Sequence, residues 1–140
     1  MTEEQMLRAQ KIRQAIDGAI VSLSENPDGV IRLMYMVKEW APGSFAMGDV
    51  RKYNNNLYKC VQAHDSTQNP AWNPSATPAL WANYHGTSKD TALPWVAPTG
   101  AHDMYKAGEY MIYTDGVIYK AKMDTAYSPT DYAQAWEAQS

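Results

Sequence analysis

The sequence predicts a mainly β protein with an N-terminal α-helix, its β part built as two small antiparallel three-stranded modules in tandem. Three observations predict it. Apolar residues follow a helical period only near the N-terminus. Five Trp, ten Tyr and a single Phe are present, and all five Trp and nine of the Tyr lie at or beyond Trp40. Beyond Trp40, one order of aromatic, glycine and turn residues occurs twice. Tyr and Trp pair a large ring with a polar handle and favour half-wet positions, so their crowding points to small units with aromatic surfaces.

The helix comes first. Thr2 followed by Gln5 has the form of a capping box, and Glu3 and Glu4 suit the positive end of a helix dipole. Ala9, Ile12, Ile16, Ala19 and Leu23 then recur at spacings of 3, 4, 3 and 4, a heptad seam widened by Ala15 and Ile20. Asn26-Pro27-Asp28-Gly29 reads as its stop, because proline forbids continuation and Asp-Gly favours a turn. The seam either packs on its own domain or joins copies into a dimer or trimer. Residues 30–37 (VIRLMYMV) are almost wholly apolar and belong to a core or an interface. Periodicity leaves open whether they are helix or strand.

The remainder reads as a repeat. One stretch runs Trp40, Gly48-Asp49, Tyr53, a turn, Leu57-Tyr58-Lys59-Cys60, Trp72-Asn73-Pro74 and Trp81. The other runs Trp95, Gly108-Glu109, Tyr113, a turn, Ile118-Tyr119-Lys120-Ala121, Tyr127-Ser128-Pro129 and Trp136. Glycine to tyrosine is five residues in both, and Trp72 to Trp81 and Tyr127 to Trp136 are both nine. Asn54-Asn55-Asn56 tolerates positive φ and predicts a hairpin between two short strands; Asp115-Gly116 predicts the matching one. The division is therefore 1–38, a helical segment; 39–84, a first module; 85–93, a polar linker; and 94–140, a second module.

Composition excludes several classes of function. A net charge of -3 has the wrong sign for a phosphate-collecting surface, and no run approaches the roughly 20 apolar residues of a membrane helix. Neither nucleic-acid binding nor membrane insertion is expected. The polar, acidic start MTEEQMLRAQ reads as lacking a signal peptide. A lone Cys60 leaves no disulfide and no cysteine-based metal site, and it stands where the other copy has Ala121. Adjacent residues on a strand point to opposite faces, so His64-Asp65 and His102-Asp103 do not converge on one proton or ion, and His85 has no obvious partner. Asp49 and Glu109 sit at turns, where a carboxylate accepts backbone N–H groups. No catalytic residue, cofactor or metal site is expected, and the chain does not read as an enzyme.

The order Trp, Gly-Asp, Tyr, turn, Leu-Tyr-Lys and terminal Trp resembles carbohydrate-binding module family 5/12, the chitin-binding type-3 fold, over most of the chain. The segments YNNNLYKCVQAH and NPSATPALW further resemble modules of bacteriophage tail-region proteins that follow a short N-terminal helix. The resemblance implies a twisted three-stranded sheet with sugar-binding capacity, acting without catalysis on a host cell-surface polysaccharide. It also implies neighbouring tail proteins, residence in the virion after synthesis in the host cytoplasm, and an extracellular location on release. Where family members carry two adjacent exposed aromatics, this chain has Val61-Gln62 and Met123-Asp124. The family's usual platform is therefore missing, which leaves a different glycan, a different aromatic surface or a purely structural role.

Four residues are candidates for such a surface. Trp72 and Tyr127 precede the turn-forming Asn73-Pro74 and Ser128-Pro129; Tyr105 lies in the longer loop at 98–107; and Phe45 occupies the related loop of the first copy. Tyr58, Tyr119, Trp81 and Trp136 match positions the family keeps in its core. The alternative is a structural or adaptor component of the tail whose aromatics face protein and bind no sugar.

Overall fold

The computed structural model describes residues 2–22, 25–101 and 103–139. Helix α1 spans Glu3–Ser22, opened by the capping box: Thr2 N–H donates to Gln5 Oε1 at 3.0 Å and Gln5 N–H to Thr2 Oγ1 at 3.1 Å. Its two ends behave differently. Ile16 and Ile20 pack against the first β-unit, and Arg13 donates to the Met36 carbonyl at 2.9 Å. Met6, Leu7 and Ile12 are exposed, Ile12 at 62%. Leu23, the last position of the heptad seam, lies outside the described residues.

The motif Asn26-Pro27-Asp28-Gly29 starts a second helix, α2 (Pro27–Arg32), where the sequence predicted only a stop. Asn26 is its N-cap, accepting from Gly29 N–H at 3.1 Å. Proline is the next residue, where its missing N–H would be unpaired anyway. A 3₁₀ turn at Met34–Met36 follows, so the apolar run is helix and 3₁₀ turn before it becomes extended at Val37; Val30, Ile31 and Val37 are buried, while Tyr35 is exposed.

The strands are β1 (Ser44–Phe45), β2 (Val50–Tyr53), β3 (Asn56–Cys60), β4 (His64–Asp65), β5 (Trp81–Asn83), β6 (Leu93–Pro94), β7 (Tyr110–Ile112), β8 (Ile118–Ala121) and β9 (Trp136–Gln139). The first β-unit is an antiparallel sheet β2-β3-β5 beside the small pair β1-β4. The second is β6-β7-β8-β9, antiparallel except for β6, which joins β7 in parallel and extends the expected three strands to four. The fold is thus mainly β with an N-terminal helix, and its sheets are open.

Both hairpins form where the turn residues predict. Asn54 and Asn55 take φ of 50° and 61°, the two left-handed positions of a type I′ turn that pairs Tyr53 with Asn56. In the second hairpin turn only Gly116 is left-handed, at φ 80°, and Tyr113 N–H reaches Val117 O at 3.0 Å. The same backbone bonds recur at positions matched by the spacing. Gly48 and Gly108, at φ 96° and 92°, donate to Cys60 O and Ala121 O at 2.9 and 2.8 Å. Asp49 accepts from Ala46 N–H at 2.9 Å, and Glu109 from Lys106 N–H at 2.7 Å, the turn role expected of both carboxylates.

The polar stretch between the units is packed rather than slack. Tyr84, Thr91 and Leu93 are buried, and a Cβ on Gly86 would sit 2.0 Å from the Thr91 carbonyl oxygen. Its polar groups find internal partners, so polarity here does not mean solvent. Asp28 accepts from Thr87 N–H at 2.8 Å, from Thr91 Oγ1 at 2.9 Å and from the Thr87 hydroxyl. Asn56 Nδ2 donates to Pro94 O at 2.8 Å, and Tyr110 N–H to Gly86 O at 2.9 Å. No helix is long and apolar enough to cross a membrane among the described residues.

Candidate functional site

The four platform candidates separate by burial. Phe45 is buried because β1 pairs it directly with His64, and its ring packs against those of His64 and Trp81 at 5.5 and 5.0 Å. The Arg51 guanidinium lies 5.2 Å from its centroid. Tyr105, expected in an open loop, is only 1% exposed. Its ring stacks between His85 (3.8 Å, 9° between planes) and Trp95 (5.2 Å, 13°), and its hydroxyl accepts from Val96 N–H at 3.3 Å. Burial pushes the Tyr105 phenol well above its ordinary range. Neither ring presents a face to solvent, and both leave the list of stacking residues.

Trp72 and Tyr127 remain at the surface, 40% and 62% exposed. Trp72 N–H donates to Asn69 O at 3.0 Å, and the next residue, Asn73, anchors the turn that follows. Asn73 Oδ1 accepts from Ser75 Oγ at 2.9 Å and Ala76 N–H at 3.0 Å, and its carbonyl accepts from Thr77 Oγ1 at 2.8 Å. The indole therefore rides on a turn held by its own side chains. Tyr127 is held from both sides: its N–H donates to Thr125 Oγ1 at 3.0 Å, and its carbonyl accepts from Trp136 Nε1 at 2.8 Å. Trp81 is the residue matching Trp136, and its Nε1 is buried without a hydrogen-bond partner among the described residues. Trp81, Trp136 and Tyr58 are buried, while Tyr119 is half-buried.

Two more rings are exposed among the described residues: Tyr35, on the 3₁₀ turn far from the repeat, and Tyr132, which stands beside Tyr127. Tyr132, 40% exposed, meets Tyr127 edge to face with centroids 6.5 Å apart and planes at 87°. For Tyr132 the signal lay in setting the two similar stretches side by side, which puts it opposite Thr77.

The histidines and the thiol have structural surroundings. His85 does have a partner: its Nδ1 lies 2.9 Å from Glu109 Oε1, and its ring covers Tyr105. His64 Nδ1 donates to Gln62 O at 2.7 Å, and its ring lies in the Phe45–Trp81 cluster. His102 lies outside the described residues. Burial pushes the Cys60 thiol up, the opposite of nucleophilic activation. Among the described residues no group of three or more His, Cys, Asp or Glu could hold a metal ion. A cleft of about 220 Å³ opens between the units; in its lining His85 pairs with Glu109 and Lys59 with Glu25 at 2.8 Å, and Asp103 and Lys106 stand beside them.

What this surface can do chemically is stack. A pyranose presents a face of C–H groups that lies well on an indole or phenol ring, while neighbouring hydroxyl, amide and carboxylate groups meet its hydroxyls.

The chain is 39% identical over 62 residues to chitinase Chi52 of Paenibacillus xylanexedens, 43% of this chain and 12% of the relative. It is also similar to a solved family GH18 chitinase from Chromobacterium violaceum, at 35% identity over 44% of this chain and 16% of that chain, with a TM-score of 0.32. The chain thus spans about an eighth of the length of the curated relative and about a sixth of the solved one. Residues 39–82, which hold the first β-unit almost entirely and carry Trp72 on its surface, match carbohydrate-binding module family 5/12.

Proposed function

We propose that this protein binds polysaccharide without catalysis, through exposed aromatic rings on two related β-units, and that its ligand class is a β-linked chain of N-acetylated sugars such as chitin. One observation carries the reading: within the stretch that matches the carbohydrate-binding family, Trp72 stands exposed on a turn braced by Asn73. The recurrence of the Gly48, Asp49 and hairpin hydrogen bonds at Gly108, Glu109 and Ala121 supports reading the second unit as a diverged copy, with Tyr127 in the place of Trp72. The wider setting we propose is a bacteriophage tail, with a host-surface glycan as ligand and other tail proteins as neighbours. Self-association through the exposed Met6, Leu7 and Ile12 of α1 would multiply weak sites through effective concentration.

The test uses tryptophan fluorescence titrated with chitohexaose, and retention on intact host cells, for the wild type, Trp72→Ala and the Trp72→Ala/Tyr127→Ala pair. We expect saturable binding that falls about tenfold in the single variant, equivalent to about 1.4 kcal/mol, and disappears in the double variant. A flat titration across glycans with the folded wild type would overturn the reading. One observation favours a structural role instead: Val61 and Met123 stand exposed in the region where family members keep adjacent aromatics, an apolar surface suited to protein contact. Glycan-blind protein that still assembles with its neighbours would establish that role.

A further inference from the structure

Tyr132 gives the second unit something the first lacks. It stands five residues after Tyr127, with Thr130 and Asp131 exposed on the turn between them. The loop is held from within: Asp131 N–H donates to Ser128 Oγ at 3.1 Å and Tyr132 N–H to Ser128 O at 2.8 Å. Together with the Thr125 and Trp136 bonds to the Tyr127 backbone, these fix the main chain from which both rings project. Preorganisation of this kind removes the ordering cost that weakens loop-based sites. In the first unit Thr77 takes the place of Tyr132, leaving Trp72 as a lone ring.

Geometry decides what such a pair can hold. A flat crystalline surface engages several rings only when they are coplanar, and Tyr127 and Tyr132 stand at 87°. A sugar stacked about 3.5–4.0 Å above one ring has the other as a wall at its side. The corner therefore contacts two sides of one pyranose, which only a chain free of its neighbours exposes. Asp131 lies exposed on the same turn, where its carboxylate suits sugar hydroxyl groups, while the Thr130 hydroxyl is bonded to the Tyr113 hydroxyl at 2.8 Å.

We propose, resting on the glycan-binding reading above, that Tyr127 and Tyr132 form a right-angled cradle for a single soluble glycan chain, while Trp72, a lone ring, also serves extended insoluble surfaces. The experiment uses the full chain with chitohexaose in solution and crystalline chitin powder as probes. In a Trp72→Ala background, Tyr132→Thr should weaken chitohexaose binding about tenfold while Tyr132→Phe retains it. With Trp72 intact, Tyr132→Thr should change retention on crystalline chitin less than twofold. Unchanged thermal midpoints and near-ultraviolet spectra control for folding. Equal chitohexaose affinity in Trp72→Ala and Trp72→Ala/Tyr132→Thr would overturn the cradle, as would loss of all soluble binding in Trp72→Ala alone; in both cases wild-type binding would leave the broader reading standing. A wild type that binds neither probe would overturn both.

Discussion

The two β-units share a hairpin, a glycine turn and a terminal tryptophan, yet their sheets are covered differently. In the first, residues of alternate direction are buried on opposite faces. Val50 and Leu57 pack with Ile20, Val30, Ile31 and Val37, while Tyr58 and Cys60 pack with Phe45 and Trp81. In the second, one face holds Met111, Ala121, Tyr105 and Trp136, and the residues pointing the other way, Tyr110, Ile112, Ile118 and Lys120, are only half-buried. The difference teaches that the α2 segment and the end of α1 are the second lid of the first sheet. The heptad seam is divided accordingly, its C-terminal part spent in cis and its N-terminal part left exposed.

The sharpest way to break this comparison is a matched pair of truncations. Leu57 and Ile118 occupy equivalent positions, opposite Lys52 and Ile112 in their hairpins, but Leu57 is fully buried. Leu57→Ala should destabilise by about 3 kcal/mol, the usual range for a closed core site. Ile118→Ala should cost about 1 kcal/mol, because a half-wet side chain has less to lose. Urea unfolding of both variants measures the contrast. Equal losses would mean that the open face of the second sheet is covered in solution by another surface.

Asp28 sharpens the comparison at the junction, since it ties α2 to the stretch leading into the second unit. Burial alone would raise its pKa; hydrogen bonds from the Thr87 side chain and backbone and from Thr91, with the charge of Arg32, outweigh burial and hold it below the ordinary carboxylate value. A depressed carboxylate contributes stability that is present above its unfolded value of about 3.9 and lost as pH falls through the lower folded value. Asp28→Asn should therefore cost about 1.5–3 kcal/mol at neutral pH, the range for hydrogen bonds to a charged group. The gap between variant and wild type should close under acid conditions, as read from urea midpoints across pH. A gap that stays constant with pH would show that the carboxylate charge contributes nothing.

Local chemistry accounts for what was legible beforehand. The capping box at Thr2, both hairpin turns and the carboxylates at Asp49 and Glu109 involve partners a few residues apart, so residue type and spacing were enough. Burial of loop rings was not legible. Phe45 is enclosed by His64 and Trp81 and Tyr105 by His85 and Trp95, partners 10 to 36 residues away that no local pattern specifies. The stretch at 85–93 looked like a linker because its side chains are polar, and it packs because Asp28, nearly 60 residues earlier, satisfies them. Asn26-Pro27 signals both the end of one helix and the start of the next: α1 ends at Ser22, ahead of it, and α2 begins at Pro27 and carries the apolar run.

The smallest expected difference lies in the turns themselves. The first hairpin places two asparagines in left-handed backbone, Asn54 and Asn55, whereas the second places only Gly116 there. Gly116 has open space around the position a Cβ would take, so Gly116→Ala isolates the conformational penalty of φ 80° from any clash. That penalty should be about 1 kcal/mol for an L-residue. Asn55→Gly runs the comparison in reverse: asparagine tolerates the left-handed region through its short polar side chain, and Asn-Gly is the strongest type I′ pair. The variant should hold stability within about 0.5 kcal/mol of wild type, its added unfolded-chain entropy offsetting the relieved strain. Thermal and urea midpoints of the two variants would decide it. A loss at Asn55→Gly as large as at Gly116→Ala would mean that the asparagine side chain itself holds the first turn, and that the two hairpins reach the same shape by different means.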